Sequence, residues 1–169
     1  MYVEGSVQAL ARFFMSNAYF QQKMTGKICY NAVLYCLRVA SMNGFYNRDD
    51  FASPDEATRV LFTQAPNPVQ HSRIRADCVV GIFRKQLQNQ PFSLSHVMIS
   101  IDGIGNCIGS NNGAIGGPGN WNTVNIAQKL TWRPQRNPVF DDPAQRGAPE
   151  WAKERVVLVK PIRELLNMV

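Results

Sequence analysis

SHVMISIDGIGNCIGSNN, residues 95–112, alternates branched apolar residues with small polar ones, turns at DGIGN and resumes as CIGSNN. A period of two in branched residues marks a strand, and two such runs around a short glycine-bearing turn mark a hairpin. With residues 102–106 as the turn, Ile101 pairs with Cys107, and the same register sets His96 opposite Asn112. A slip of one residue offers Asn111 instead, and a bulge offers Ser110. In each case an imidazole on a strand has a polar neighbour across the hairpin.

Upstream of the hairpin the pattern is helical. Val7, Leu10, Ala11, Phe14, Ala18 and Phe20 predict a helix over 6–23. GKICYNAVLYCLRVASMNG, residues 26–44, predicts a second helix that starts at Thr25 or Gly26 and stops at Asn43 and Gly44. Ser53, Pro54 and Glu56 form an N-terminal signature for a third helix over 54–64. Ile74, Cys78, Ile82 and Phe83 suggest a fourth helix to about residue 88, with a strand over 78–83 as the competing reading. Downstream, residues 113–120 read as a glycine-rich surface loop. Strands are expected at 124–132 and 156–160, and a short last helix over 163–168. Residues 134–149 read as a connection. Helices first and an antiparallel sheet afterwards give an α+β chain, read as a single domain over 1–169.

Composition narrows the function classes. Apolar residues make up 45% of the chain and charged residues 18%, a folded profile rather than a disordered one. No run is long enough for a membrane span, and the N-terminus does not read as a secretory signal. The protein is therefore expected in the cytosol or to leave by a non-classical secretion route. Of the net charge of +6, the whole surplus lies between residues 57 and 140, where eight cations face only Asp77 and Asp102. A basic face suits nucleic acid, an anionic membrane or an acidic polymer, but no nucleic-acid motif accompanies it and nucleic acid is not the expected partner. Cys29 and Cys36, seven apart on one helix, stand too far apart for a disulfide. Cys/His metal spacings are missing, so neither a metal nor a cofactor is expected.

Cys29 opens the second helix, where exposed backbone N–H groups and the macrodipole favour a thiolate. A nucleophile of this kind needs a base, and His96 is the candidate. The base in turn needs a group that fixes its tautomer, for which Asn112 is the first choice and Asn111 or Ser110 the alternatives. The backbone N–H of Cys29, with Gln22 or Thr25, is expected to form an oxyanion hole. Gln22, Asn111 and Trp121 are expected to contact substrate. Cys36, Cys78 and Cys107 fall inside apolar stripes and read as packing, and His71, among prolines, has no partner in view. A different reading makes Cys29 packing too and the chain a basic binding module.

A cysteine opening a helix, followed by HVMISIDGIGNCIGSNN as a histidine-bearing hairpin, resembles the papain-like cysteine amidohydrolases, and within them the NlpC/P60 peptidases. The SMNG turn that ends the cysteine helix resembles that of small peptidoglycan amidases delivered by bacterial type VI secretion. The resemblance covers residues 26–44 and 95–112. This chain has ICYN where NlpC/P60 members usually carry Asp-Cys-Ser-Gly, and Met98 where they carry glycine. What the resemblance implies is a papain-like fold, Cys29 as nucleophile, His96 as base and Asn112 as orienter. It further implies a peptide or peptidoglycan substrate and, for an effector toxin, an inhibitor or immunity protein as partner. Glutamine deamidation of a protein is the alternative activity on the same scaffold.

Overall fold

A computed structural model describes residues 1–64, 68–69 and 74–167. Four helices come first: α1 (Ser6–Ser16), α2 (Ala18–Thr25), α3 (Cys29–Ala40) and α4 (Pro54–Leu61). Then follow β1 (Cys78–Arg84), β2 (Ser93–Ser100), β3 (Asn106–Gly109), a 3₁₀ turn (Asn112–Ile115), β4 (Asn122–Asn125), α5 (Ile126–Lys129) and β5 (Thr131–Trp132). The chain closes with β6 (Phe140–Asp141), a 3₁₀ turn (Pro143–Gln145), α6 (Glu150–Lys153), β7 (Glu154–Pro161) and α7 (Ile162–Leu166). The strands form one curled antiparallel sheet in the order β4-β3-β2-β1-β7-β6-β5. The fold is α+β.

Both faces of the sheet are covered, which explains its composition. Val79, Phe83, Val97 and Ile99 pack beneath α1, α3 and α4, together with Val33, Leu37 and Leu61. Val80, Ile82, Met98, Cys107 and Val157 face the other way, onto Ile126, Leu130 and Phe140. A strand buried on both faces loses the apolar–polar alternation and reads as a continuous apolar run. This is why residues 74–88 suggested a helix. The observed element is β1, the competing strand reading, and the helical spacing of Cys78 and Ile82 is incidental to a strand apolar at nearly every position.

Other departures have local causes. The predicted helix over 6–23 is two helices, because Asn17 takes an extended backbone and its carboxamide oxygen accepts from Phe20 N at 3.1 Å, capping α2. Ser53 caps α4 as the sequence indicated, accepting from Glu56 N at 3.1 Å, but the helix stops at Leu61. The strand expected over 124–132 is interrupted by α5, since Asn125 accepts from Gln128 N and starts a helical turn. The connection 134–149 contains β6, and the last helix lies at Ile162–Leu166. His71 lies outside the described residues.

The hairpin register is one residue off the expected one. Ser100 faces Cys107 and Ile99 faces Ile108, and Ile101 N donates to Asn106 O at 3.0 Å. Asp102 is the cause: its carboxylate accepts from Ile104 N, Asn106 N and Asn106 Nδ2, while Gly105 takes φ 94°, so Asn106 enters the ladder early.

Candidate active site

Extended along the strands, the observed register would set Asn111 opposite His96. The chain does not extend. β3 ends at Gly109, Asn111 takes a left-handed backbone with φ 56°, and the chain folds back as the 3₁₀ turn. Reversal brings Asn112 to the ring: His96 Nε2 lies 2.8 Å from Asn112 Oδ1, and both side chains are buried. The orientation of the carboxamide is fixed on its other side, where Nδ2 donates to Gly109 O at 2.9 Å. Oδ1 can only accept, so Nε2 carries the proton, and in the neutral ring Nδ1 is the basic nitrogen. Asn112 thus faces His96 as expected, but through a chain reversal rather than a pairing register.

The close approach depends on Gly109. A Cβ there would stand 2.6 Å from Asn112 Oδ1, 2.8 Å from Met98 Cγ and 3.3 Å from His96 Nε2. The backbone of the turn is held from outside by the glycine-rich loop, with Asn111 N donating to Gly119 O and Asn112 N to Pro118 O. That loop, read from the sequence as a surface loop, braces the turn that carries Asn112.

Cys29 is the first residue of α3. Its thiol is held near the backbone N–H groups of Cys29 and Tyr30, the unpaired donors of a helix start, and that of Val97. Val97 follows His96 on β2, two residues beyond the end of the ladder to β3, so the mouth of α3 stands at the strand edge that β3 has vacated. Among the described residues the histidine's side-chain hydrogen bond is to Asn112, and Cys29 reaches β2 through Val97 rather than through a hydrogen bond to the ring. Cys29 keeps 9% of its surface exposed, against 0% for Cys36 and Cys107 and 2% for Cys78, the largest share among the four cysteine residues.

Burial dominates the electrostatics. It pushes the Cys29 thiol above its ordinary value, opposed by the N–H groups of Val97, Tyr30 and Cys29. It pushes the His96 imidazole below its ordinary value, opposed by the bond to Asn112. Burial therefore works against charge on both groups, and for Cys29 it opposes the thiolate that the helix start favours. The remaining thiols are inert by burial, which raises Cys36, Cys78 and Cys107 as well.

Other expected residues divide. Ser110 and Asn111 do not meet the ring; both reach back to the segment before α3, with Ser110 Oγ donating to Met24 O at 2.9 Å and Asn111 Nδ2 to Lys27 O at 2.9 Å. Gln22 is exposed on α2 and its carboxamide has no partner among the described residues. The Thr25 hydroxyl is engaged, donating to Gln21 Oε1 and accepting from Trp121 N, which removes it as an oxyanion donor. Trp121 corrects the expectation of substrate contact. It is 0% exposed and its indole N–H donates to Ala11 O at 3.0 Å, so it fastens α1 to the sheet. Gly109 and Val97 were missed; a glycine ending an apolar strand is the signal that would have marked the first.

No protein-family model, curated protein or solved structure matches this chain. No helix among the described residues is long and apolar enough to cross a membrane, and none of their His, Cys, Asp and Glu side chains cluster in a way that could hold a metal ion.

Proposed function

We propose that the chain is a papain-like cysteine amidohydrolase acting on peptide amide bonds, in cell-wall peptides or in proteins. The observation that supports this most is the buried His96 Nε2···Asn112 Oδ1 bond beside a helix mouth carrying Cys29. The second bond, from Asn112 Nδ2 to Gly109 O, turns Oδ1 toward the ring and so leaves Nδ1 of His96 as the nitrogen that can accept a proton.

In this reading Nδ1 of His96 takes the thiol proton as sulfur attacks the amide carbonyl carbon, so that the C–S bond and the imidazolium form together. The Cys29 N–H, and Gln22 if it turns inward, hold the oxyanion of the tetrahedral intermediate. The C–N bond breaks, the imidazolium gives its proton to the leaving amine, and a thioester remains. Water, deprotonated by His96, releases the acyl group as a carboxylate and restores the thiol. Burial that disfavours charge on both groups suits this sequence, because charge then develops as the carbonyl is attacked.

The test is incubation of the purified chain with muramyl peptides and with denatured protein, reading new amino groups and ammonia separately. Amide cleavage is expected in the native chain, its loss in Cys29→Ala, and a fall of about 10²- to 10⁴-fold in His96→Ala. Ammonia released without chain cleavage would identify deamidation instead. Undiminished activity in a folded Cys29→Ala protein would overturn the assignment.

A further inference from the structure

The segment that presents Cys29 is held by its own helix only at Ile28, whose carbonyl accepts from Asn31 N and Ala32 N. Ile28, at the N-cap of α3, makes no side-chain capping bond, and although Met24 O accepts from Lys27 N at 3.1 Å, Thr25 O and Lys27 O need partners from elsewhere. Those partners come from the turn that carries Asn112. Ser110 Oγ lies 2.9 Å from Met24 O, 3.4 Å from Thr25 O and 3.1 Å from Lys27 O, and Asn111 Nδ2 donates to Lys27 O at 2.9 Å. Ser110 is fully buried, and Lys27 lies two residues before the nucleophile. Three consecutive side chains of one turn thus divide between the two halves of the site, with residues 110 and 111 on the loop before Cys29 and residue 112 on His96.

We propose that Ser110 and Asn111 are positioning residues that set where Cys29 stands relative to His96, acting through the segment 24–27. The inference rests on the cysteine amidohydrolase reading. It assigns the two residues a role distinct from that of Asn112: Asn112 fixes the ring proton on Nε2, whereas Ser110 and Asn111 fix the distance over which the thiol proton must pass to Nδ1. Misplacement of a reacting group by about 1 Å costs up to roughly 100-fold in rate, so two hydrogen-bonded tethers at this point are worth holding.

Iodoacetamide alkylation of Cys29 in the full-length protein, followed by peptide mass spectrometry across pH, reads the geometry without a known substrate. The native chain is expected to show an inflection below the ordinary histidine value, where His96 becomes protonated and stops assisting. Ser110→Ala and Asn111→Gly are expected to lower the neutral-pH rate by roughly 10- to 100-fold and to erase that inflection. The ¹⁵N signature of a proton on His96 Nε2 is expected to persist in both variants and to be lost in Asn112→Ala. Asn111→Gly keeps the left-handed backbone at an exposed position, so it carries the test if Ser110→Ala does not fold. A native alkylation profile in Asn111→Gly, or loss of the His96 signature along with the inflection, would overturn the proposal. A His96→Ala profile identical to the native one would instead overturn the underlying reading, and the positioning role with it.

Discussion

Gly109 has no side chain, and the site is built in the space this leaves. Substitution by alanine places a methyl 2.6 Å from Asn112 Oδ1, with Met98 behind it, so either the carboxamide or the strand must move. Gly109→Ala is expected to destabilise the fold by about 1–3 kcal/mol, as overpacking of a buried site does. It is also expected to abolish the Nε2–H signature of His96 in ¹⁵N spectra. An unaltered histidine signature would show that the turn has slack. At this scale the sequence was partly legible. Cys29, His96 and Asn112 were identifiable by residue type and order, but the route by which Asn112 reaches the ring was not, because it depends on a left-handed Asn111 that no alternation pattern displays. Trp121 misled for a related reason: beside a glycine-rich loop an indole reads as a surface binder, while its burial follows from α1, more than a hundred residues away in the chain.

Elements were legible where a single side chain decided their ends. Ser53 marked the start of α4 because a hydroxyl, a proline and a glutamate all favour a helix beginning there. Asn17 did the same for α2 and was overlooked, since the apolar spacing of α1 runs on through it. Asn17→Ala is expected to cost about 1 kcal/mol in urea unfolding and to leave Phe20 N unpaired; no change would mean that packing alone sets the elbow. β1 was ambiguous because burial on both faces erases the period that separates strand from helix. The hairpin was legible as a hairpin, whereas its register turned on the carboxylate of Asp102, which gathers three donors and shortens the loop by one residue.

Across the whole molecule, the two site residues make opposite demands on pH. His96 has a depressed folded value, so its contribution is complete above the unfolded value of about 6.5 and is lost as pH falls through the folded value. Cys29 has a raised folded value, so its contribution is complete below about 8.5 and is lost as pH rises through the folded value. Urea midpoints measured across pH should therefore fall on both sides. His96→Gln should flatten the acid limb, and Cys29→Ala should lessen the alkaline limb by one thiol's share, with Cys36, Cys78, Cys107 and Tyr2 still contributing to it, each group adding a slope of at most about 1.4 kcal/mol per pH unit. Limbs unchanged by these substitutions would assign the pH dependence to other groups. The net positive charge, also a property of the whole chain, is less available than the sequence suggests. Arg133 and Arg136 are both bound to Asp141, and Arg136 also to Glu150, so part of the central surplus is neutralised by residues just beyond it.

β7 lies between β1 and β6 although it is the last long strand in the chain. During synthesis, Cys29, His96 and Asn112 have all been made well before residues 154–161 exist to cover the open edge of β1. Until then the strand that supports β2 has a neighbour on one side only, and the helix layer has half a platform to dock on. The order of manufacture therefore sets the order of assembly: a nascent copy carries Cys29, His96 and Asn112 yet lacks the strand that completes the sheet. The frame around those residues is complete only when β7 has taken its place between β1 and β6.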